Sequence, residues 1–281
     1  MADPLVHLDR VSMAYGRGAA AVRAIEEVTL DIARGEFVAV VGPSGCGKSS
    51  LMRLISGLHA PLAGTLRVEG KPVRGPVRSV GMAFQNSNLL PWRTAVENVL
   101  LPLEIVPPHR QRIRRERKQY IERARKLLES VGLQGFTEKF PWQLSGGMQQ
   151  RTSICRALIH EPDILMLDEP FGALDAFTRE ELWCALRDIQ AARRVTVMLV
   201  THDLREAVFL ADTVYVMSSR PGRILKRCEV NLPRPRDLEV TYTQPFQAIV
   251  HELRGLIGHG GGPGVRAADA GEPGAALAGS P

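Results

Sequence analysis

The sequence predicts an α/β fold: a parallel-sheet core, opened by an antiparallel β layer and interrupted by a helical subdomain. Three observations carry this. Phe37-Val38-Ala39-Val40-Val41 is a continuous apolar, β-branched run that stops at Gly42, the pattern of a strand buried on both faces of a parallel sheet. Further strand-like runs return at residues 164–167, 195–200 and 214–217, separated by helical stretches at 179–192 and 204–211, and such alternation argues for a parallel sheet. Between about residue 89 and residue 160 the character is helical instead.

In chain order, the first 40 residues alternate apolar and polar positions, as in Leu5-Val6-His7-Leu8 and Val28-Thr29-Leu30-Asp31-Ile32. That period of two predicts strands with one exposed face, hence the antiparallel layer. The buried run 37–41 is followed by a predicted helix over 48–56 and a strand-like stretch over 80–84. The helical region contains basic amphipathic stretches such as 117–131, with turn signals at Pro107-Pro108, Gly132 and Gly135. After Leu256 the sequence passes into Gly260-Gly261-Gly262-Pro263-Gly264 and an Ala/Gly/Pro tail. Such a segment cannot bury enough surface to offset its ordering entropy. The expected organisation is one domain over 1–257, with a helical subdomain at about 89–160, and a disordered tail over 258–281.

The chain has 281 residues, 44% hydrophobic and 23% charged, which suits a globular protein with a sizeable core. Its strongest apolar runs fall far below the roughly 18 residues of a membrane-spanning helix. Met1-Ala2-Asp3-Pro4 carries neither the basic nor the apolar part of a secretory signal, so a cytoplasmic location is expected. Four widely spaced cysteines (Cys46, Cys155, Cys184, Cys228) suggest neither a disulfide framework nor a zinc site. The net charge is +6, and between residues 110 and 126 nine Lys/Arg face two Glu. A solvated helix face, anionic lipid headgroups, a protein partner or nucleic acid would each account for that run.

Gly42-Pro43-Ser44-Gly45-Cys46-Gly47-Lys48-Ser49 fits the P-loop pattern and lies, as that motif requires, between a buried strand and a helix. Its glycines let backbone N–H groups approach phosphate oxygens, and the helix start presents unpaired N–H groups to the anion. Lys48 is expected on the β- and γ-phosphates and Ser49 on Mg2+, with Ser50 completing the cradle. The plainer reading is a Gly-rich turn with an exposed lysine. Cys46, although near a helix N-terminus, reads as a small filler rather than a nucleophile.

Ile164-Leu165-Met166-Leu167-Asp168-Glu169 places two carboxylates where a buried strand reaches the carboxyl edge of the sheet. Asp168 is the candidate metal ligand, direct or through water. Glu169 is the candidate to orient or deprotonate an attacking water. A helix cap is the alternative use of such a pair. Leu144-Ser145-Gly146-Gly147-Met148-Gln149-Gln150 opens a further helix, again with an N-terminus suited to an anion. A second phosphate site on a chain with a complete P-loop asks for a second nucleotide, or for the nucleotide of another chain.

These three motifs, in this order, resemble the ATP-binding cassette (ABC) ATPases. The resemblance implies an ATPase using ATP and Mg2+, in which two cassettes pack head to tail and the Ser145-Gly146-Gly147 segment, with Gln149, closes over the partner's nucleotide. It also implies roles for smaller positions. Tyr15 matches the aromatic that stacks on adenine, Gln85 the loop glutamine near Mg2+ and the water, Asp175 the loop linking the two sites, and His202 the histidine that contacts the γ-phosphate.

Leu89-Leu90-Pro91-Trp92, Phe171-Gly172-Ala173-Leu174-Asp175, Arg220-Pro221-Gly222-Arg223-Ile224 and Leu232-Pro233-Arg234-Pro235-Arg236-Asp237 look like the importer group for nitrate, sulfonates and taurine. Asn86 departs from that group, which often has an acid there. The implied partners are a second cassette, expected to be another copy of this chain, transmembrane permease subunits and, indirectly, an extracytoplasmic solute-binding protein. The implied place is the cytoplasmic face of the bacterial inner membrane, with no nucleic acid expected. Exposed Leu89, Leu90 and Trp92 are expected to contribute to the permease contact. The alternative is a soluble ABC ATPase acting on DNA or the ribosome, and a P-loop kinase or GTPase is the more distant one.

Overall fold

The computed structural model describes residues 3–16, 18, 21–172 and 174–259. The Gly/Ala/Pro tail beyond residue 259 lies outside them. β1 (Val6–Tyr15) and β2 (Val22–Ile32) pair antiparallel, with Leu8 opposite Leu30 and Val11 opposite Val28. Val6, Leu8, Val11 and Met13 are buried and the positions between them are not, so burial keeps the period of two on either side of an extra residue after Leu8, while the pairing with β2 shifts register there and twice more before Ala14. β3 (Phe37–Val41), buried at every position, runs into the Gly-rich turn that opens α1 (Lys48–Ile55). β4 (Ala63–Val68) and β5 (Lys71–Pro72) then return to the first sheet, giving the order β2-β1-β4-β5. Patterning assigned neither, because β4 buries only Leu66 and Val68 and β5 buries nothing.

β6 (Val80–Ala83) leads into the helical region of α2 (Ala95–Ile105), α3 (His109–Arg112), α4 (Arg117–Ser130) and α5 (Gly146–Leu158). The α/β alternation resumes with β7 (Ile164–Asp168), α6 (Ala176–Arg193), β8 (Thr196–Val200), α7 (Leu204–Leu210) and β9 (Thr213–Met217). β10 (Ile224–Glu229) and α8 (Gln244–His259) follow. The second sheet has the order β10-β9-β3-β8-β7-β6, parallel throughout except at the β10 edge. β10 escapes a sequence reading because Cys228 is its one buried residue. α8 does not: Phe246, Val250 and Leu253 are buried at i, i+4 and i+7, a helical signal available in the sequence. The helix runs through residue 259, so the expected boundary at 257/258 falls inside it.

Alternate residues of the parallel strands feed two cores. Val38, Val40, Met166 and Met198 pack toward α1 and the antiparallel sheet. Phe37, Ala39, Leu165 and Leu199 pack toward the helices on the other face. That second core continues through Ile154 and Leu158 of α5 to Val99 and Leu127 of α2 and α4, so the helical region shares its core with the sheet. α5 lies so near β6 that a Cβ on Gly81 would stand 2.0 Å from the Ala157 carbonyl oxygen.

The end of α7 is held by the Leu232-to-Asp237 segment. Arg236, 2% exposed, donates to the carbonyls of Val208, Phe209, Ala211 and Val230 at 2.7–3.1 Å. Helix ends leave such carbonyls unpaired, and here the guanidinium caps them. Burial pulls Arg236 down to about 10, which leaves it charged at neutral pH. Arg234 adds a bond to the Leu210 carbonyl and an ion pair with Asp212, both at 2.7 Å. Arg236→Ala is expected to lower stability by about 2–4 kcal/mol, because buried carbonyls lose a charged donor. An unchanged urea midpoint would show that the strap does not support α7.

Candidate functional site

β3 delivers the Gly-rich turn to the carboxyl edge of the sheet, between the ends of β8 and β9. Gly47 caps α1 at φ 111°, and a Cβ there would lie 2.6 Å from the Ala24 carbonyl oxygen, so both its conformation and its space demand glycine. The cap supplies no side-chain bond and the first turn holds no acid. The first N–H groups and the positive end of the helix dipole are thereby left for an anion. Lys48 is buried, and its ammonium donates to the Gly42 and Pro43 carbonyls at 3.0 Å each, leaving one of its protons for a phosphate oxygen. Cys46 is fully buried and burial pushes its thiol up, consistent with a filler.

At the end of β7, Asp168 accepts a bond from the Ser49 hydroxyl at 3.0 Å. Burial pushes its carboxyl up and the Ser49 bond partly opposes this, while the charge of Glu169 adds to the rise. A cation beside it would offset that burial. The Ser49 hydroxyl and the Asp168 carboxylate, with Gln85 lining the same cavity as Ser49, offer hard oxygen donors, which fit Mg2+ better than a softer metal. Glu169 follows with φ 45°, an uncommon conformation for a residue with a side chain, held by its N–H on the Val200 carbonyl at 2.8 Å. Its Oε2 lies 3.2 Å from Nδ1 of His202, which emerges just beyond β8.

A cavity of about 350 Å³ brings the turn and the start of α1 together with Gln85, Glu169 and Arg220. Arg220 is the member that sequence reasoning misses as a site residue; its Arg-Pro-Gly turn carries only a group likeness. Gly222 fixes that turn by exchanging backbone bonds with Ala24 and Glu26 at 2.9 and 3.0 Å, which brings a second cation to the cavity that Lys48 lines. A larger cavity of about 510 Å³, lined by Arg34, Asp163, Arg193 and others, holds none of the expected residues.

The remaining expected residues stand outside the cavity. Tyr15 is partly buried beside α1, its hydroxyl 3.0 Å from the Ser50 hydroxyl and its ring edge-on to His59. Ser145 caps α5 by accepting from the Met148 N–H at 3.2 Å, with Ser145 and Gly146 exposed. Gln149 is turned inward: its amide donates to the Pro141 and Leu144 carbonyls and accepts from the Ser87 hydroxyl. Its place is therefore in support of the helix start rather than on its outer surface. Asp175 caps α6 through the Thr178 N–H at 3.0 Å, which holds its carboxyl below the usual range.

The segment from Gln85 to Trp92 is also pinned. Buried Asn98 bonds both backbone groups of Leu90 and the carbonyls of Arg93 and Thr94, a set with no sequence signature. Arg156 of α5 bonds the Ser87 and Asn88 carbonyls. Against expectation, Leu89 and Leu90 are only partly exposed, because this pinning folds them in, whereas Trp92 is 69% exposed.

Behind His202, Glu206 of α7 is buried and accepts from the Thr201 hydroxyl. Burial pushes its carboxyl up to about 8, against a usual 4.5. The folded chain therefore keeps a proton that the unfolded chain gives up. Stability from this group is full below about pH 4.5 and is lost as pH rises through about 8. Glu206→Gln should shrink the stability loss between pH 5 and pH 9 by on the order of 3 kcal/mol in urea unfolding. An unaltered pH profile would contradict a buried neutral acid.

Residues 25–172 match the family described as ABC transporter. The chain is 43% identical over 223 residues to the aliphatic sulfonates import ATP-binding protein SsuB of Bacillus licheniformis, covering 79% of this chain and 84% of that one. It is 46% identical over 208 residues to the taurine import ATP-binding protein TauB of Yersinia pestis, covering 74% and 79%. It superposes with a TM-score of 0.70 and 32% identity on a dimeric ATP-binding cassette in a post-hydrolysis state with ADP and Pi, covering 81% of this chain and all of that one. On these matches, and with the P-loop, the Asp168-Glu169 pair and the Ser145-capped helix in one fold, the chain belongs to the ABC transporter family as an ATP-binding cassette.

Proposed function

We propose that this chain is the ATP-hydrolysing subunit of a bacterial importer, energising uptake of a small solute such as nitrate, a sulfonate or taurine. In this reading it works as a dimer on the cytoplasmic face of the inner membrane, beneath a permease. The observation that carries it is an incomplete site. The P-loop, Gln85 and Glu169 share one cavity, while the exposed Ser145-Gly146 start of α5 lies outside it. A second anion-seeking helix end, outside the cavity of the chain's own cradle, suits the nucleotide of another chain. The dimeric relative supports that pairing, and the SsuB and TauB relatives support the solute class and the attachment to a membrane system. No helix among the described residues is long and apolar enough to cross a membrane. The solute's path is then formed by the permease, with Trp92 as the exposed apolar contact toward it.

The chemistry follows from the placement of charge. Phosphoryl transfer needs a positioned nucleophile and stabilised oxygens more than covalent help. Glu169 takes the proton of the attacking water as its oxygen bonds the γ-phosphorus and the bond to the β–γ bridging oxygen breaks, ADP keeping the electron pair. His202 holds Glu169 and reaches the γ-phosphate, and Gln85 orients the water. Lys48 and the cradle from Gly42 to Ser50 hold the phosphates, with Arg220 at the rim and Tyr15 toward the base. Ser49, Asp168 and Gln85 would hold Mg2+, which supplies charge neutralisation on the β- and γ-phosphates.

The basic tract divides. Arg123, Arg125 and Lys126 reach Glu161, Glu138 and Glu122. The exposed cations at the α3–α4 corner are read as a solvated face.

Glu169→Gln should keep ATP binding while turnover falls by at least about 100-fold, as expected for loss of a general base. In gel filtration with ATP it should run as a persistent dimer. Near-normal ATPase would remove Glu169 from the role of base.

A further inference from the structure

We infer that Arg179 is a positioning residue for hydrolysis, joining the segment that would close over the partner's nucleotide to this chain's own Glu169–His202 pair. The inference rests on the hydrolytic reading given above. Arg179 lies in the first turns of α6, one turn beyond the Asp175 cap. Its Nη2 donates to the Leu174 carbonyl at 3.0 Å, and its Nη1 lies 3.5 Å from Oδ2 of Asp203. Its Nε is 3.9 Å from Oε1 of Glu206, too far for a hydrogen bond, and is buried without a partner.

Each neighbour of the guanidinium leads to a different part of the machine. Leu174 faces the start of α5: a Cβ on Gly147 would come within 3.0 Å of Leu174 Cδ2 and 3.4 Å of Thr178 Cγ2. The Ser145-to-Gly147 segment therefore rests on the loop that Arg179 holds. Asp203 and Glu206 hold the His202 loop from the other side. Asp203 caps α7 through the N–H groups of Arg205 and Glu206, and its own N–H bonds the Thr201 hydroxyl, which in turn bonds Glu206. His202 is thus set between two residues of one network, and it carries Glu169 at 3.2 Å.

The unsatisfied Nε leaves this network room for a second arrangement. A movement of less than about 1 Å would bring it within hydrogen-bond distance of Glu206. Pressure on Gly147 from a partner's nucleotide would move Leu174, and Arg179 with it, toward Asp203 and Glu206. Occupancy of one site would thereby set the catalytic pair of the other. Coupling through packed contacts of this kind needs a two-state element, and the open Nε contact is the one assigned to it.

The test uses the full chain with ATP and Mg2+. Arg179→Ala should lower kcat about tenfold and reduce the Hill coefficient for ATP to about one, with KM and the affinity for a non-hydrolysable ATP analogue within about twofold. Arg179→Lys, a point charge without the planar fork, should not restore cooperativity. Because Arg179 and Glu206 act in series, combining Arg179→Ala with Glu206→Ala should cost no more than the larger single loss. Wild-type kcat and cooperativity in Arg179→Ala would overturn the inference. So would an affinity loss that parallels kcat, or losses that multiply in the double variant. Should Arg179→Ala not fold, Arg179→Gln is measured in the same way. Glu169→Gln is assayed alongside: turnover intact there strikes the hydrolytic reading, whereas turnover intact in Arg179→Ala beside an inactive Glu169→Gln strikes the brace alone.

Discussion

The structure depends on meeting a highly charged phosphate chain with backbone N–H groups at the edge of a buried sheet. Side-chain cations alone would hold such an anion loosely; a helix start aimed at it adds fixed donors that need no reorganisation. That demand explains why β3 is apolar on both faces, since it must sit in the middle of the sheet for the turn after it to be rigid. It explains Gly47, where a Cβ would strike the Ala24 carbonyl. It also explains why the strands beside β3 and beyond them end in Asp168, Glu169 and His202: parallel strands deliver all their carboxyl ends to one edge.

Much of this was legible in the sequence, for a physical reason. Fully buried parallel strands read as unbroken apolar runs, so β3, β7, β8 and β9 were found close to their true limits. Motifs at the ends of such strands inherit their position from them, which is why Lys48, Ser49, Asp168, Glu169 and Gln85 are found around one cradle. Edge elements leave a weaker trace. β4, β5 and β10 bury one or two side chains each and so offer little periodicity. Residues whose work is to satisfy backbone groups leave none. Nothing in the sequence around Asn98 or Arg236 announces that one pins a loop and the other caps a helix, because their partners are carbonyls common to every residue. Gln149 shows the converse: its place beside the Ser-Gly-Gly start suggests an outward role, but its amide is turned to the carbonyls of Pro141 and Leu144.

The two anion-seeking helix starts are built differently, and the difference bears on their use. α1 opens from glycine with no side-chain cap, so that its N–H groups remain for a ligand held within the same chain. α5 opens from a serine already engaged with the Met148 N–H, exposed and clear of the cavity, yet seated through Gly147 on the Leu174 loop. In the proposed reading, a cassette with this arrangement is a half-site for its own nucleotide and a lid for another.

The most direct test of that claim pairs two defective chains in a Glu169→Gln background, where bound ATP should stay occluded. One chain carries Lys48→Ala, which spoils its cradle, and the other carries Ser145→Arg, which spoils its lid. Each alone should occlude no ATP as a homodimer. Mixed, they place both defects in the same composite site and leave the other whole, so the account predicts one occluded ATP per mixed dimer. Full occlusion by Ser145→Arg homodimers, or none by the mixed dimer, would contradict a site shared between two chains.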